Sequence, residues 1–168
     1  LDLSETKTKL LAIVANERGA AEALSYEQIN YIGYPFSISE NFQMRNTNTT
    51  IEDSLVLVNR LVKYTSSVNR EVVVYLSMGF GNPYGDPWSP TLVAAWVSRL
   101  VDMGVKRISL SDTVGLAQPN TITDLFEHNL KKIEKYIIAY NKIFVTQQTE
   151  KKKIKSDFTK KQAVSIIE

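Results

Sequence analysis

The sequence predicts an α/β fold of about four parallel β-strand–α-helix units. Short runs of β-branched and aromatic residues recur four times, each followed by turn formers. Segments of helical period lie between them. Strand starts fall about 20 to 40 residues apart, the spacing that parallel crossover connections require.

The first run is TKLLAIVAN, Thr8 to Asn16. A short connection follows, in which Asn16 caps a helix or makes a turn. The second strand is INYIGYPF, Ile29 to Phe36, and SISENFQMRNTN after it reads as a loop. Ile51, Leu55, Val58, Leu61 and Val62 then share one helical face, opened by the capping pattern Thr50-Ile51-Glu52-Asp53. The third strand is EVVVYLSM, Glu71 to Met78, and it runs into the glycine- and proline-rich loop SMGFGNPYGDPW. Ser89-Pro90 opens the next helix, whose apolar face holds Leu92, Val93, Trp96, Val97, Leu100 and Val101, and Gly104 ends it. RISLSDTVG, Arg107 to Gly115, is the fourth strand, and a last helix starts at Thr121-x-x-Asp124 with Ile122, Leu125 and Phe126 on its apolar side.

The chain of 168 residues is long enough for one domain with a real core. Residues 1–130 carry 10 basic and 14 acidic side chains, whereas 131–168 carry 10 lysines against 4 acids. That contrast divides the chain into an α/β domain, 1–130, and a lysine-rich extension, 131–168, read as helical or disordered. Ile133, Tyr136, Ile137 and Tyr140 continue a helical period into it. No apolar run reaches 18 residues, so no membrane span is expected, and no secretory signal pattern opens the chain. The absence of cysteine excludes disulfides, thiolate metal sites and a cysteine nucleophile. The basic extension reads as a solvated surface, and nucleic acid is not an expected partner.

Parallel sheets present ligand chemistry at the carboxyl ends of their strands. The polar residues gathered there include Ser39, Glu40, Asn46, Asn48, Ser77, Asn82, Ser109, Asp112 and Thr113. Asp112 stands out, because an acid at a strand end sits where burial tunes a carboxylate for proton transfer or hydroxyl binding. Tyr75 and Ser77 share one strand face by alternation, as pocket-lining residues would. The single histidine, His128, lies in a helical pattern without a second imidazole and reads as structural or solvent-exposed. There is no Ser/His/Asp set, no P-loop and no dinucleotide glycine fingerprint.

SENFQMRNTN, SMGFGNPYGDPWSP and SLSDTVGLAQP, in this order, resemble the 3-hydroxy-3-methylglutaryl-CoA lyase family from about Leu3 to Phe126. The resemblance implies a partial (β/α)8 TIM barrel, an incomplete fragment of a fold that takes about 250 residues. It implies metal-assisted retro-Claisen cleavage of a 3-hydroxy-3-methylacyl-CoA to acetyl-CoA and acetoacetate, with Mg2+ or Mn2+ as cofactor and an acyl-CoA as partner. Carried over by position, Asp112 is the catalytic candidate. Ser109, Thr113, Tyr75, Ser77, Ser39, Glu40, Asn46 and Asn48 are substrate-binding candidates. The family's metal ligands, an Arg-Asp pair, a His-x-His pair and a later Asn, have no counterpart here, so the isolated chain is expected to be inactive. Two alternatives stand beside the lyase: a related acetyl-CoA-dependent synthase of the isopropylmalate or homocitrate type, and a non-catalytic association module. In the module reading, open sheet edges drive self-association. The implied location is cytoplasmic, or mitochondrial for a eukaryotic source.

Overall fold

A computed structural model describes residues 7–129 and 137–142. The elements run β1 (Leu10–Ile13), α1 (Glu17–Leu24), β2 (Ile29–Ser37), α2 (Glu40–Thr47), α3 (Ile51–Ser67), β3 (Glu71–Ser77), α4 (Pro90–Asp102), β4 (Arg107–Asp112), α5 (Pro119–Asp124), a π-helical turn (Leu125–Asn129) and β5 (Ile137–Lys142). All five strands pair in parallel in one sheet, in the order β1-β2-β3-β4-β5. A strand order that follows the chain without reversal is that of a (β/α) barrel wall. A doubly wound sheet would reverse its order at a switch point.

Alternation decides which face the helices cover. Ile32, Tyr34 and Phe36 of β2, Val72, Val74 and Leu76 of β3, and Ile108 and Leu110 of β4 point to one side. There they meet Val58 and Leu61 of α3 and Val93, Val97 and Leu100 of α4 in one buried cluster. Each such side chain contributes about 1.5–3 kcal/mol of burial. The opposite face carries a separate apolar group, Tyr31 and Val73 with Leu11 and Tyr75. Gly33 makes room for it: a Cβ there would stand 2.8 Å from Leu11 Cδ2 and 2.9 Å from Tyr75 Cε2. At the amino end of this face the Arg107 guanidinium lies 5.1 Å from the Tyr31 ring centre and pairs with Glu71 at 2.6 Å.

The caps show why the helices start where they do. Asn16 accepts the Gly19 N–H, Thr50 the Asp53 N–H and Ser89 the Leu92 N–H, each satisfying a donor of the first turn. Gly104 follows α4 at φ 93°, the left-handed position expected after a helix.

Three elements differ from the sequence reading. The segment after β2 is a helix, α2, rather than a loop. Its polar sequence hides it, since Gln43 is its one buried residue. The last helix begins one residue after Gln118, with Pro119 at its first position, so Thr121 is interior to the helix and does not cap it. The helical period through Ile137 and Tyr140 gives way to β5, where pairing along β4 (Ser109 with Ala139, Leu110 with Tyr140) outweighs local periodicity. The remainder of the proposed extension, and the role assigned to the His128 side chain, lie outside the described residues. No helix among the described residues is long and apolar enough to cross a membrane.

Candidate functional site

The carboxyl ends of β2, β3 and β4 bring a row of hydroxyls level with one another. Ser37 pairs with Ser77, and Tyr75 pairs with Ser109, which sets Ser111 level with Ser77 on the next strand. By alternation all of these side chains lie on the face opposite the helices. Ser37, Ser77, Ser109 and Ser111 are buried. The Ser37 hydroxyl accepts the Ser39 N–H at 3.0 Å and reaches the Ser77 carbonyl at 3.4 Å. Tyr75 lies one row below Ser77, and burial raises its phenol above the ordinary tyrosine value.

Beyond Ser77 the chain turns through a left-handed residue that is not glycine: Met78, at φ 59°, fully buried. Such a conformation costs on the order of 1 kcal/mol or more and persists only where its surroundings impose it. Two contacts impose it. The Met78 N–H donates to Thr113 Oγ1 at 2.9 Å, and the Gly79 N–H donates to the Ser111 carbonyl at 3.2 Å. A Cβ on Gly79 would stand 3.2 Å from the Leu76 carbonyl oxygen and 3.5 Å from that of Ser111, so glycine is what lets the turn lie against β4.

The glycine loop then folds on itself around Asn82. The Asn82 side-chain oxygen accepts the Tyr84 and Asp86 N–H groups at 3.0 and 3.1 Å, and its amide donates to the Asp86 carbonyl at 2.9 Å. Asp86 docks the loop onto α2. Its carboxylate accepts from the Ser39 hydroxyl at 2.5 Å, from the Asn41 N–H at 3.1 Å and from the Asn41 side-chain amide at 2.7 Å. The Ser39 hydroxyl bond, backed by the two from Asn41, holds the Asp86 carboxyl below the ordinary aspartate value.

Asp112 sits on the helix side of β4, in alternation with Ile108 and Leu110, while Ser109 and Ser111 occupy the other face. It is buried, and its two oxygens accept the Leu116 N–H at 2.8 Å and the Ala117 N–H at 3.1 Å. The carboxylate thereby braces the loop that carries Thr113. Glu40 reaches away from the strand ends: its carboxylate accepts the Ile51 N–H at 3.2 Å, at the positive end of α3. Ser39 caps α2 by accepting the Phe42 N–H at 3.1 Å. Asn46 is exposed near the far end of α2, and Asn48 closes that helix at φ 52°, about 14 Å along the axis from Ser39. The structure thus brings Ser77, Ser109, Tyr75 and Thr113 together at the rim, with Ser39 and Asp112 beneath it. Glu40, Asn46 and Asn48 belong to the α2–α3 connection.

Four residues at this site escaped the sequence reading. Ser37 and Ser111 carry the signal that singled out Tyr75 and Ser77, period-two alternation, extended to the flanking strands. Asp86 is an acid inside a glycine–proline loop. Gln43 gives no signal in its polar surroundings, yet it is buried and joins β2 to α3. It accepts the Ser37 N–H at 2.6 Å and donates to Ser54 at 2.8 Å and Thr47 at 2.7 Å. Beside this network the buried Tyr34 hydroxyl lies near Ser54 and Gln43 without a well-formed hydrogen bond, and burial raises its phenol.

Among the described residues no three His, Cys, Asp or Glu side chains group as a metal site requires. The carboxylates of Glu40, Asp86 and Asp112 each answer to different donors on different segments. The described residues therefore do not fit the divalent cation that the resemblance implies.

The HMGL-like family profile matches residues 4–141. Mitochondrial hydroxymethylglutaryl-CoA lyase of Macaca fascicularis is 30% identical over 129 residues, covering 76% of this chain and 39% of that protein. The cytoplasmic 3-hydroxy-3-methylglutaryl-CoA lyase of Rattus norvegicus is 34% identical over 95 residues, 56% of this chain and 28% of that one. Among solved structures, the Bacillus subtilis HMG-CoA lyase superposes with a TM-score of 0.69 at 29% identity, covering 76% of this chain and 43% of its own. The chain spans less than half the length of these relatives. With its barrel-wall sheet and the match across nearly all its described residues, this chain belongs to the HMGL-like family.

Proposed function

We propose that the chain forms the acyl-thioester-facing wall of a carbon–carbon lyase site and does not turn over substrate alone. The observation that carries this is the level row Ser37, Ser77 and Ser111, on the concave face at the carboxyl ends of three adjacent parallel strands. Small hydroxyls there offer both donors and acceptors to the polar end of a 3-hydroxyacyl group. The left-handed Met78, followed by Gly79, lets backbone approach the same rim closely. Thr113 and Asp112 position this wall from behind, and Tyr75 sets its floor. In this reading the divalent cation, Mg2+ or Mn2+, is held by ligands other than the described residues, which is why the wall binds but does not cleave. The relatives are a mitochondrial and a cytoplasmic enzyme, and those compartments are the two this reading carries.

Calorimetry with acetyl-CoA, paired with an assay of metal-dependent release of acetyl-CoA from hydroxymethylglutaryl-CoA, tests both halves. Saturable binding without turnover is expected. Turnover by the chain alone would refute the second half, and absence of binding the first. The synthase alternative predicts a condensation product when an α-keto acid is supplied together with acetyl-CoA. An association module predicts neither binding nor turnover.

A further inference from the structure

We infer that Asp86 is a positioning residue, clasping the glycine loop after β3 to the first turn of α2 so that the two form one wall of the rim. Its carboxylate takes three hydrogen bonds from Ser39 and Asn41, residues 45 to 47 positions away in the chain. A second patch fastens the same two segments. The Tyr84 ring stacks on Phe42 at 6.5 Å, and the Arg45 guanidinium lies 5.0 Å from the Tyr84 ring centre. Asn82 prefolds the loop, so docking at Asp86 and Tyr84 fixes it as a body. Ser39 is the link to the hydroxyl row, since its own N–H donates to the Ser37 hydroxyl. Loss of the Asp86 contact therefore frees the loop and loosens Ser37 at the edge of the site. The effect on ligand rests on the acyl-thioester reading above, whereas the clasp stands on the contacts alone.

The test is amide hydrogen exchange on the whole chain, wild type against Asp86→Asn, Ser39→Ala and Ser39→Thr, with Ile32 and Val74 as controls for the fold. Asp86→Asn is expected to lower Asn41 protection about ten-fold at neutral pH, with the controls unchanged. Ser39→Thr, which keeps the hydroxyl, should restore most of what Ser39→Ala loses. Wild-type protection of Asn41 should fall only below the ordinary aspartate range, and that of Asp86→Asn should show no such step. The charged groups nearest the clasp are Glu40, engaged with Ile51, and Arg45 over Tyr84, so Glu40→Gln serves to assign the step. If Asp86→Asn lowers the controls too, Ser39→Ala decides, because it keeps the carboxylate and removes only the Ser39 bond that holds it against Asn41. Unchanged Asn41 protection in the deciding variant overturns the clasp. Acetyl-CoA affinity should fall about ten-fold with the clasp. Absence of binding by wild type would sink the acyl-thioester reading, while the exchange result still decides the clasp.

Discussion

The Thr113 hydroxyl accepts the Met78 N–H at 2.9 Å, so the turn that ends β4 holds the turn that ends β3. That bond explains how a buried methionine is kept at φ 59° without a glycine. Thr113→Val, which keeps the shape and removes the acceptor, should destabilise the chain by about 1–2 kcal/mol, since it strands a partly buried donor in a strained turn. Thr113→Ser should stay within about 0.5 kcal/mol of wild type. Urea unfolding midpoints measure both.

Gln43 should be costly to lose, because it is buried and bonded to Ser37, Ser54 and Thr47. Gln43→Leu leaves the Ser37 N–H and the Ser54 hydroxyl without their partner in the interior. The expected loss is about 2–4 kcal/mol, more than a surface pair contributes. Glu71→Gln is the comparison. It weakens a pair with Arg107 whose side chains are 35% and 30% exposed, and should cost less than about 1 kcal/mol. A larger effect at Glu71 than at Gln43 would reverse this ranking.

Gly33→Ala forces the Leu11 and Tyr75 side chains aside, because its Cβ would stand under 3 Å from both. Flexible side-chain ends give way, so the cost should be about 1–2 kcal/mol. The displaced Tyr75 ring loses part of the burial that raises its phenol. Spectrophotometric titration should therefore show a tyrosine ionising at lower pH in the variant than in wild type. A raised phenol favours the folded state below the ordinary tyrosine value, and that contribution is lost as pH rises through the folded value, so wild type should weaken in strong alkali.

Acid should act through Asp86. Its folded value lies below the ordinary aspartate value, so its contribution is present above that value and is lost as pH falls through the depressed one. Asp86→Asn should lower stability at neutral pH and flatten the acid limb of the pH–stability curve. An unchanged acid limb would place that loss elsewhere.

What could be read in advance follows from the range of the forces involved. Thr50, Ser89-Pro90 and Gly104 act within a few residues of themselves, so α3 and α4 could be delimited from sequence, as could the four apolar strands. Helix α2 could not, because ENFQMRNT has no apolar stripe and depends on Gln43 bonding across to Ser37 and Ser54. β5 was hidden by a helical spacing that pairing with β4 overrides. The site divides in the same way. Tyr75 and Ser77 follow from alternation, but the side of the sheet that Asp112 takes, and its bonds to Leu116 and Ala117, depend on how the following loop folds back. The bond between Ser39 and Asp86 joins residues that no local pattern connects.

The central proposal is that the hydroxyl row meets an acyl-thioester. Backbone NMR during titration with acetyl-CoA gives the most direct reading. Saturable shifts should concentrate at Ser37 to Ser39, Ser77 to Gly81 and Ser109 to Thr113, and the amino-end group of Tyr31, Glu71 and Arg107 should remain still. Shifts confined to that amino end, or no saturable shift at the strand ends, would contradict it.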